Sequence, residues 1–268
     1  MAKKENKSKS NVLQIGLTVL LVVAAFAIGS MWTQIRTLKS NKEEIKTPTK
    51  QEEKPAVSLK KSDKPKVELF VMTYCPYGLQ TQKAIVPVME LLGDKADIVI
   101  RFVSYVMHGK EEIEENLRQY CIGKEQKSEY IKYLRCFLAL NDTVSCQEKA
   151  GVDTEKLQSC YSASDEKFGV MKAFNDKSSW LNGRYSQFNV DKFLNDQYKI
   201  KGSPALVING QVVNSPRSSD GLKQIICSAF NSPPKECQEK LNTNQEKPGA
   251  GEIGAGVDEE PASEGECQ

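Results

Sequence analysis

The chain has 268 residues, 39% of them hydrophobic, and its 37 basic and 35 acidic side chains leave a net charge of only +2. A balance this close excludes a strongly cationic nucleic-acid binder, and the length admits one or two domains. Eight cysteines stand beside a single histidine, and no two have Cys-x-x-Cys spacing. Disulfides in an oxidising compartment are therefore expected rather than a metal site or another cofactor.

Residues 1–11 carry Lys3, Lys4, Lys7 and Lys9 and read as a cytoplasmic head. Val12 to Trp32 is a charge-free run rich in Leu, Val, Ala and Ile. At about 1.5 Å per residue it is long enough to cross a hydrocarbon core of roughly 30 Å. A single transmembrane anchor over 12–32 is the expectation; Ala25-Phe26-Ala27 leaves open a cleaved signal peptide and secretion. Arg36, Lys39 and Lys42 follow the span, so charge does not orient it. The cysteine content does: the N-terminus is expected in the cytoplasm and the main domain outside it. Residues 33–65, rich in Lys, Glu, Thr, Ser and Pro, read as a stalk.

The foldable part spans 66–240. Val67 to Tyr74 is β-rich, Gln80 to Leu92 sets Ala84, Ile85, Val88, Leu91 and Leu92 along one helical stripe, and Ile98 to Val103 alternates as a strand does. This βαβ unit predicts parallel strands with a right-handed crossover. Glu111 to Ala173 reads as short helices broken at Gly123, Asn141 to Thr143 and Gly151, with Tyr120, Tyr130, Tyr133, Leu134 and Phe137 as core. Ala205 to Ile208, Asn209-Gly210 and Gln211 to Asn214 form a hairpin signal, and Ser219 to Phe230 closes as a helix. The order predicts an α/β thioredoxin-like fold with a helical insertion over about 110–190. Residues 241–268 read as a disordered acidic tail, Gly- and Glu-rich with no basic residue after Lys247.

Cys75 falls where the first strand ends and the first helix begins. Unpaired N–H groups and the helix dipole there favour a thiolate. Cys75 is the candidate catalytic nucleophile, with Tyr74, Pro76 and Tyr77 lining its groove. The fourth position of a Cys-x-x-Cys site is Gly78, a missing resolving position, and a cysteine placed there is expected to create a dithiol. Gly202-Ser203-Pro204 precedes the hairpin, where a proline can open a strand without owing it a donor. Likeness to the thioredoxin-like element order, in which a cis-proline stands beside the reactive cysteine, implies a cis Pro204 beside Cys75, freeing the Ser203 backbone to pair with an extended substrate. His108 reads as a loop residue, and no Ser/His/Asp or Cys/His arrangement emerges.

Cys227 and Cys237 flank a helix end and Pro233-Pro234, and Cys136 and Cys146 flank Asn141-Asp142; each couple is expected to pair. Cys121 and Cys160 then join across the insertion, one scheme among about 105 for eight cysteines. Cys75 and Cys267 are left over. A flexible linker of about 30 residues spans roughly 30 Å r.m.s., so Cys267 can reach the site as a resolving cysteine. The favoured reading is nevertheless an idle terminal thiol or a link between two chains, with resolution by the tail as the alternative.

Ala205-Leu206-Val207-Ile208-Asn209-Gly210, then Ile226-Cys227-Ser228-Ala229-Phe230 and Cys237, together with the cysteine layout and Pro204, resemble the gamma-interferon-inducible lysosomal thiol reductase family and, more broadly, DsbA-like proteins. The resemblance covers roughly Lys66 to Cys237. The family's CQHG signature is absent, and Gln119-Tyr120-Cys121-Ile122-Gly123 is a loose echo. The resemblance implies thiol-disulfide exchange through Cys75, as monothiol reductase, isomerase or covalent client holder. It also implies extracytoplasmic cysteine-containing proteins or peptides as partners, with an external thiol or a membrane redox partner. The same C-terminal segments are similar to the thioredoxin-like part of plant vacuolar sorting receptors, which implies a non-catalytic peptide-binding module. Both classes stay open, and no nucleic acid is expected.

Overall fold

The computed structural model describes residues 59–256 and Cys267. The expected head, anchor and most of the stalk lie outside the described residues. Among the described residues no helix is long and apolar enough to cross a membrane.

Strand β1 (Lys66–Val71) enters helix α1 (Pro76–Leu92), which leads to β2 (Asp97–Phe102). β1 and β2 pair in parallel from Lys66 opposite Asp97 to Val71 opposite Phe102. The chain returns in β3 (Ala205–Ile208) and β4 (Gln211–Val213). β3 runs antiparallel to β1, with Phe70 opposite Ala205, and β4 antiparallel to β3. Asn209 (φ 48°) and Gly210 (φ 78°) join them, the left-handed pair that a two-residue hairpin turn requires. The sheet order is β2-β1-β3-β4, and α8 (Ser219–Ser228) follows, its N-cap Ser218 accepting from the Gly221 N–H. A βαβ half joined to a ββα half about a central β1 is the thioredoxin-like arrangement, here split by helices.

Those helices are α2 (Gly109–Glu125), α3 (Lys127–Leu140), α4 (Thr143–Ala150), α5 (Thr154–Phe168), α6 (Val170–Asn175) and α7 (Lys192–Tyr198). Breaks occur at Asn141 (φ 52°), where Asp142 caps the next helix, and at Gly151 (φ 72°). Gly123 was expected to be a third break and is not: α2 runs through it to Glu125. A Cβ there would stand 3.2 Å from the Tyr130 ring, so Gly123 makes room for packing. The break falls at Gln126 instead, whose amide exchanges hydrogen bonds with the Asp153 backbone. Tyr130, Tyr133, Leu134 and Phe137 are buried together, while Tyr120 is partly buried at their edge.

Helix α1 departs from its expected single stripe. Gln80, Thr81, Gln82 and Lys83 are buried along with Ala84, Ile85 and Val88. The insertion and α8 pack against α1, and so does a segment the sequence reading assigned to a disordered tail. Glu246 is 1% exposed, its carbonyl accepts from Gln80 Nε2, and its carboxylate accepts from the Gly254 N–H. Gly249 and Gly251 donate to the carbonyls of Pro76 and Leu138. Small residues let this stretch lie flat on α1 and α3, and its backbone donors find carbonyl partners there. Residues 241–256 thus belong to the folded domain.

The opposite sheet face is closed by α7. Glu68, 1% exposed, accepts from Arg101 Nε at 3.1 Å and from the Tyr198 hydroxyl at 3.1 Å. Arg101 also reaches Asp191, whose carboxylate accepts from the Phe102 N–H. Burial raises the Asp191 carboxyl above its ordinary range, and the Phe102 N–H and Arg101 oppose that shift.

Candidate active site

β1 delivers the chain to the site through Met72, Thr73 and Tyr74. The Thr73 N–H donates to Asn116 Oδ1 at 3.2 Å and its hydroxyl to the Glu112 carbonyl, so α2 of the insertion braces the turn. Cys75 then caps α1. Its φ and ψ are −67° and 122°, and Sγ accepts from the Gly78 N–H at 3.4 Å. Pro76 takes the first helical position, where its missing donor costs nothing. No acidic residue stands in the first turn, so no carboxylate there opposes the dipole's preference for a thiolate.

Across from Cys75, the Ser203–Pro204 peptide is cis. Ser203 is fully buried; its Oγ accepts from the Met72 N–H at 2.9 Å, and its carbonyl oxygen lies 3.4 Å from Cys75 Sγ. This serine accounts for Gly78. A Cβ on residue 78 would lie 2.6 Å from Ser203 Oγ and 2.8 Å from the Met72 carbonyl oxygen. A cysteine at 78, expected to create a dithiol, would therefore have to displace the Ser203 hydroxyl and the Met72 carbonyl.

The second sulfur comes from the far end of the chain. Cys75 and Cys267 are bonded, S–S 2.05 Å, across 192 positions. Cys267 is also held by its backbone: its N–H donates to the Ser203 carbonyl at 2.9 Å and its carbonyl accepts from the Ser203 N–H at 3.0 Å. This is one antiparallel bridge, the pairing by which a strand is added to an open edge. Phe70, Met72, Cys75, Val103 and Val207 form the apolar floor, and Tyr77, Tyr105, Met107 and Cys267 pack on it.

The other cysteines pair as Cys121–Cys160 between α2 and α5, Cys136–Cys146 between α3 and α4, and Cys227–Cys237 between α8 and the turn after it. Tyr77 reaches the apolar floor, and Pro76 is exposed beside it. Tyr74 points elsewhere, its ring meeting Phe137 edge-on at 6.0 Å. Burial first, then Glu115, pushes its hydroxyl pKa up. Glu115 is itself buried and shifted up by desolvation, and accepts from Tyr133, Gln119, Arg118 and Thr143.

Sequence reading missed Asn116, Glu112 and Met107. No local motif marks them, because their roles depend on α2 folding back over the turn at Thr73. His108 opens α2, its Nδ1 2.5 Å from Glu112 Oε2. Glu112 Oε1 accepts from the Met107 N–H. Among the described residues no cluster of His, Cys, Asp and Glu has the geometry of a metal site.

No protein-family model matches the sequence, and no curated protein does. Among solved structures the chain is similar to reduced DsbA from Mycobacterium tuberculosis, at 12% identity and a TM-score of 0.46, over 68% of this chain and 93% of that one. It is similar also to reduced DsbG, a disulfide bond oxidoreductase of the same organism, at 12% identity and a TM-score of 0.45, over 68% and 88%. Oxidised BdbD from Bacillus subtilis matches at 19% identity and a TM-score of 0.41, over 68% and 92%. The fold assignment rests on the sheet order and connections described above.

Proposed function

We propose that this chain is a thiol-disulfide exchange enzyme whose redox pair is Cys75 and Cys267. The observation that carries the reading is the placement of one bond. Cys121–Cys160, Cys136–Cys146 and Cys227–Cys237 join scaffold elements, whereas Cys75–Cys267 sits at a helix N-terminus beside a cis-proline loop. In the oxidising direction a substrate thiolate attacks Cys75 Sγ, the Cys75–Cys267 bond breaks, and Cys267 leaves as a thiolate. A second substrate thiolate then attacks the substrate sulfur of the mixed disulfide and releases Cys75. The substrate loses two electrons and two protons and gains a disulfide; the chain ends as two thiols. The reverse sequence reduces a substrate disulfide. After oxidising a substrate the pair passes its two electrons to a membrane redox partner and closes again; after reducing one, an external thiol or a membrane redox partner returns it to two thiols.

Within thioredoxin-like proteins we place the chain with the gamma-interferon-inducible lysosomal thiol reductase and DsbA-like enzymes that carry a helical insertion, with Cys-x-x-Gly in place of Cys-x-x-Cys. Its partners are extracytoplasmic proteins or peptides containing cysteine. The charge-free run 12–32 supports a single anchor with the N-terminus in the cytoplasm, and the four disulfides support an oxidising location for the domain. Burial of Cys75 in the bonded state favours the second reading, a non-catalytic binding module in which this bond is a fourth staple.

Incubation with a disulfide-scrambled model protein separates the two. The Cys267→Ser variant is expected to accumulate a covalent adduct at Cys75 on non-reducing gels, and Cys75→Ser none. Absence of adduct from Cys267→Ser would remove the exchange reading.

A further inference from the structure

We infer that the C-terminal tail and an extended peptide substrate use the same strand position at Ser203, so that the enzyme resolves small disulfides quickly and holds peptide clients. The inference rests on the exchange reading and adds a specificity to it. Ser203 offers one outward N–H and one outward C=O, and in the oxidised chain Cys267 satisfies both. Its side chain reaches Cys75 from that paired position. Cys267 therefore sits as the cysteine of a substrate peptide bonded to Cys75 would sit. Ser203 is buried, and both of its backbone groups are paired with Cys267, so a second strand cannot make the same pair while Cys267 holds it. One occupant excludes the other.

The consequence appears in the reducing direction. The Cys75 thiolate attacks a substrate disulfide; the Cys75–substrate bond forms, and the departing substrate sulfur takes a proton from water. Cys267, having lost its proton to solvent, then attacks Cys75 Sγ. The Cys75–Cys267 bond forms, the remaining substrate sulfur leaves and is protonated, and two electrons have passed from chain to substrate. If the substrate makes no backbone pairs, Cys267 docks on Ser203 and attacks from the position seen here. If it is a strand paired with Ser203, Cys267 must attack without that docking or wait for the strand to leave.

Three adducts of the reduced full chain in detergent test this, each formed at Cys75 from a 5-thio-2-nitrobenzoate mixed disulfide. They carry mercaptoethanol, a peptide of residues 261–268, and the same peptide N-methylated at the Cys267 amide. Lifetimes are read by acid quench and mass spectrometry. The peptide adduct is expected to outlive the mercaptoethanol adduct by about tenfold, the effect of roughly one to two net hydrogen bonds. N-methylation, which removes the donor to the Ser203 carbonyl without altering the enzyme, is expected to restore the short lifetime. All three should persist in Cys267→Ser. Equal lifetimes for the three adducts in the wild type would overturn strand sharing while leaving exchange intact. Adducts as long-lived in the wild type as in Cys267→Ser would overturn the tail as resolver, and failure to form any adduct would overturn the exchange reading and this inference with it.

Discussion

Ser203 and Gly78 contend for one small volume: the serine hydroxyl that accepts from the Met72 N–H stands 2.6 Å from where a Cβ on residue 78 would be. Gly78→Ala and Gly78→Cys should each destabilise the domain by about 1–3 kcal/mol, the range for overpacking a filled core. Adding Ser203→Gly should recover part of that loss and not all of it, since the Met72 carbonyl stays at 2.8 Å. Urea denaturation of the single and double variants measures this. A Gly78→Cys protein as stable as wild type, with a Cys75 to residue 78 disulfide, would contradict it.

The turn carrying Cys75 depends on the insertion through Asn116 and the buried polar cluster under Tyr74. Glu115→Ala strands Tyr133, Gln119, Thr143 and Arg118 together, and should cost on the order of 3–5 kcal/mol, as breaking a buried charge network does. Glu115→Gln should cost much less. Asn116→Ala leaves the Thr73 N–H buried without its acceptor and should cost about 1–3 kcal/mol. Chemical denaturation ranks the three.

Glu112 raises the His108 pKa above the ordinary histidine value, through a hydrogen bond more than through charge at a distance, against an opposing desolvation effect. A group whose folded pKa is raised stabilises most below its unfolded pKa, near 6.5, and loses that contribution as pH climbs through the folded value. Wild-type stability should therefore fall as the medium passes from mildly acidic to mildly alkaline, and His108→Gln should flatten that slope. Thermal melts across this window check it; parallel slopes would show that the His108–Glu112 contact contributes nothing.

The sheet and its connections were legible in the sequence because strand periodicity, the Asn209-Gly210 turn and the order of elements are local signals. The helix breaks at Asn141 to Thr143 and at Gly151 were legible for the same reason. The break was misplaced from Gln126 to Gly123 because Gly123 serves Tyr130, a contact that exists only after α2 and α3 pack. The stretch 241–256 looked disordered because its composition is polar and Gly-rich, yet its backbone donors meet carbonyls on α1 and α3. Cys75, Ser203 and Pro204 could be singled out from position in the chain. Asn116 and Glu112 could not, since their partner at Thr73 is about 40 residues away.

The three scaffold disulfides should behave as staples. Replacing Cys136 and Cys146 together with serine, or Cys121 and Cys160, should cost roughly 2–4 kcal/mol of stability and leave adduct formation at Cys75 unchanged. Denaturation and adduct assays on each double variant measure both properties. Loss of adduct without loss of stability would place those sulfurs in the exchange chemistry.

The central claim, that Cys75–Cys267 is a working redox pair and not a fourth staple, is tested most directly by equilibrating the native chain in graded thiol/disulfide buffers and mapping each bond by mass spectrometry after acid quench. The account predicts that Cys75–Cys267 opens and closes reversibly as a two-electron couple, independent of protein concentration, while the other three bonds stay closed, as structural disulfides with potentials below about −300 mV do. Opening of all four bonds together, only under conditions that unfold the domain, would contradict it.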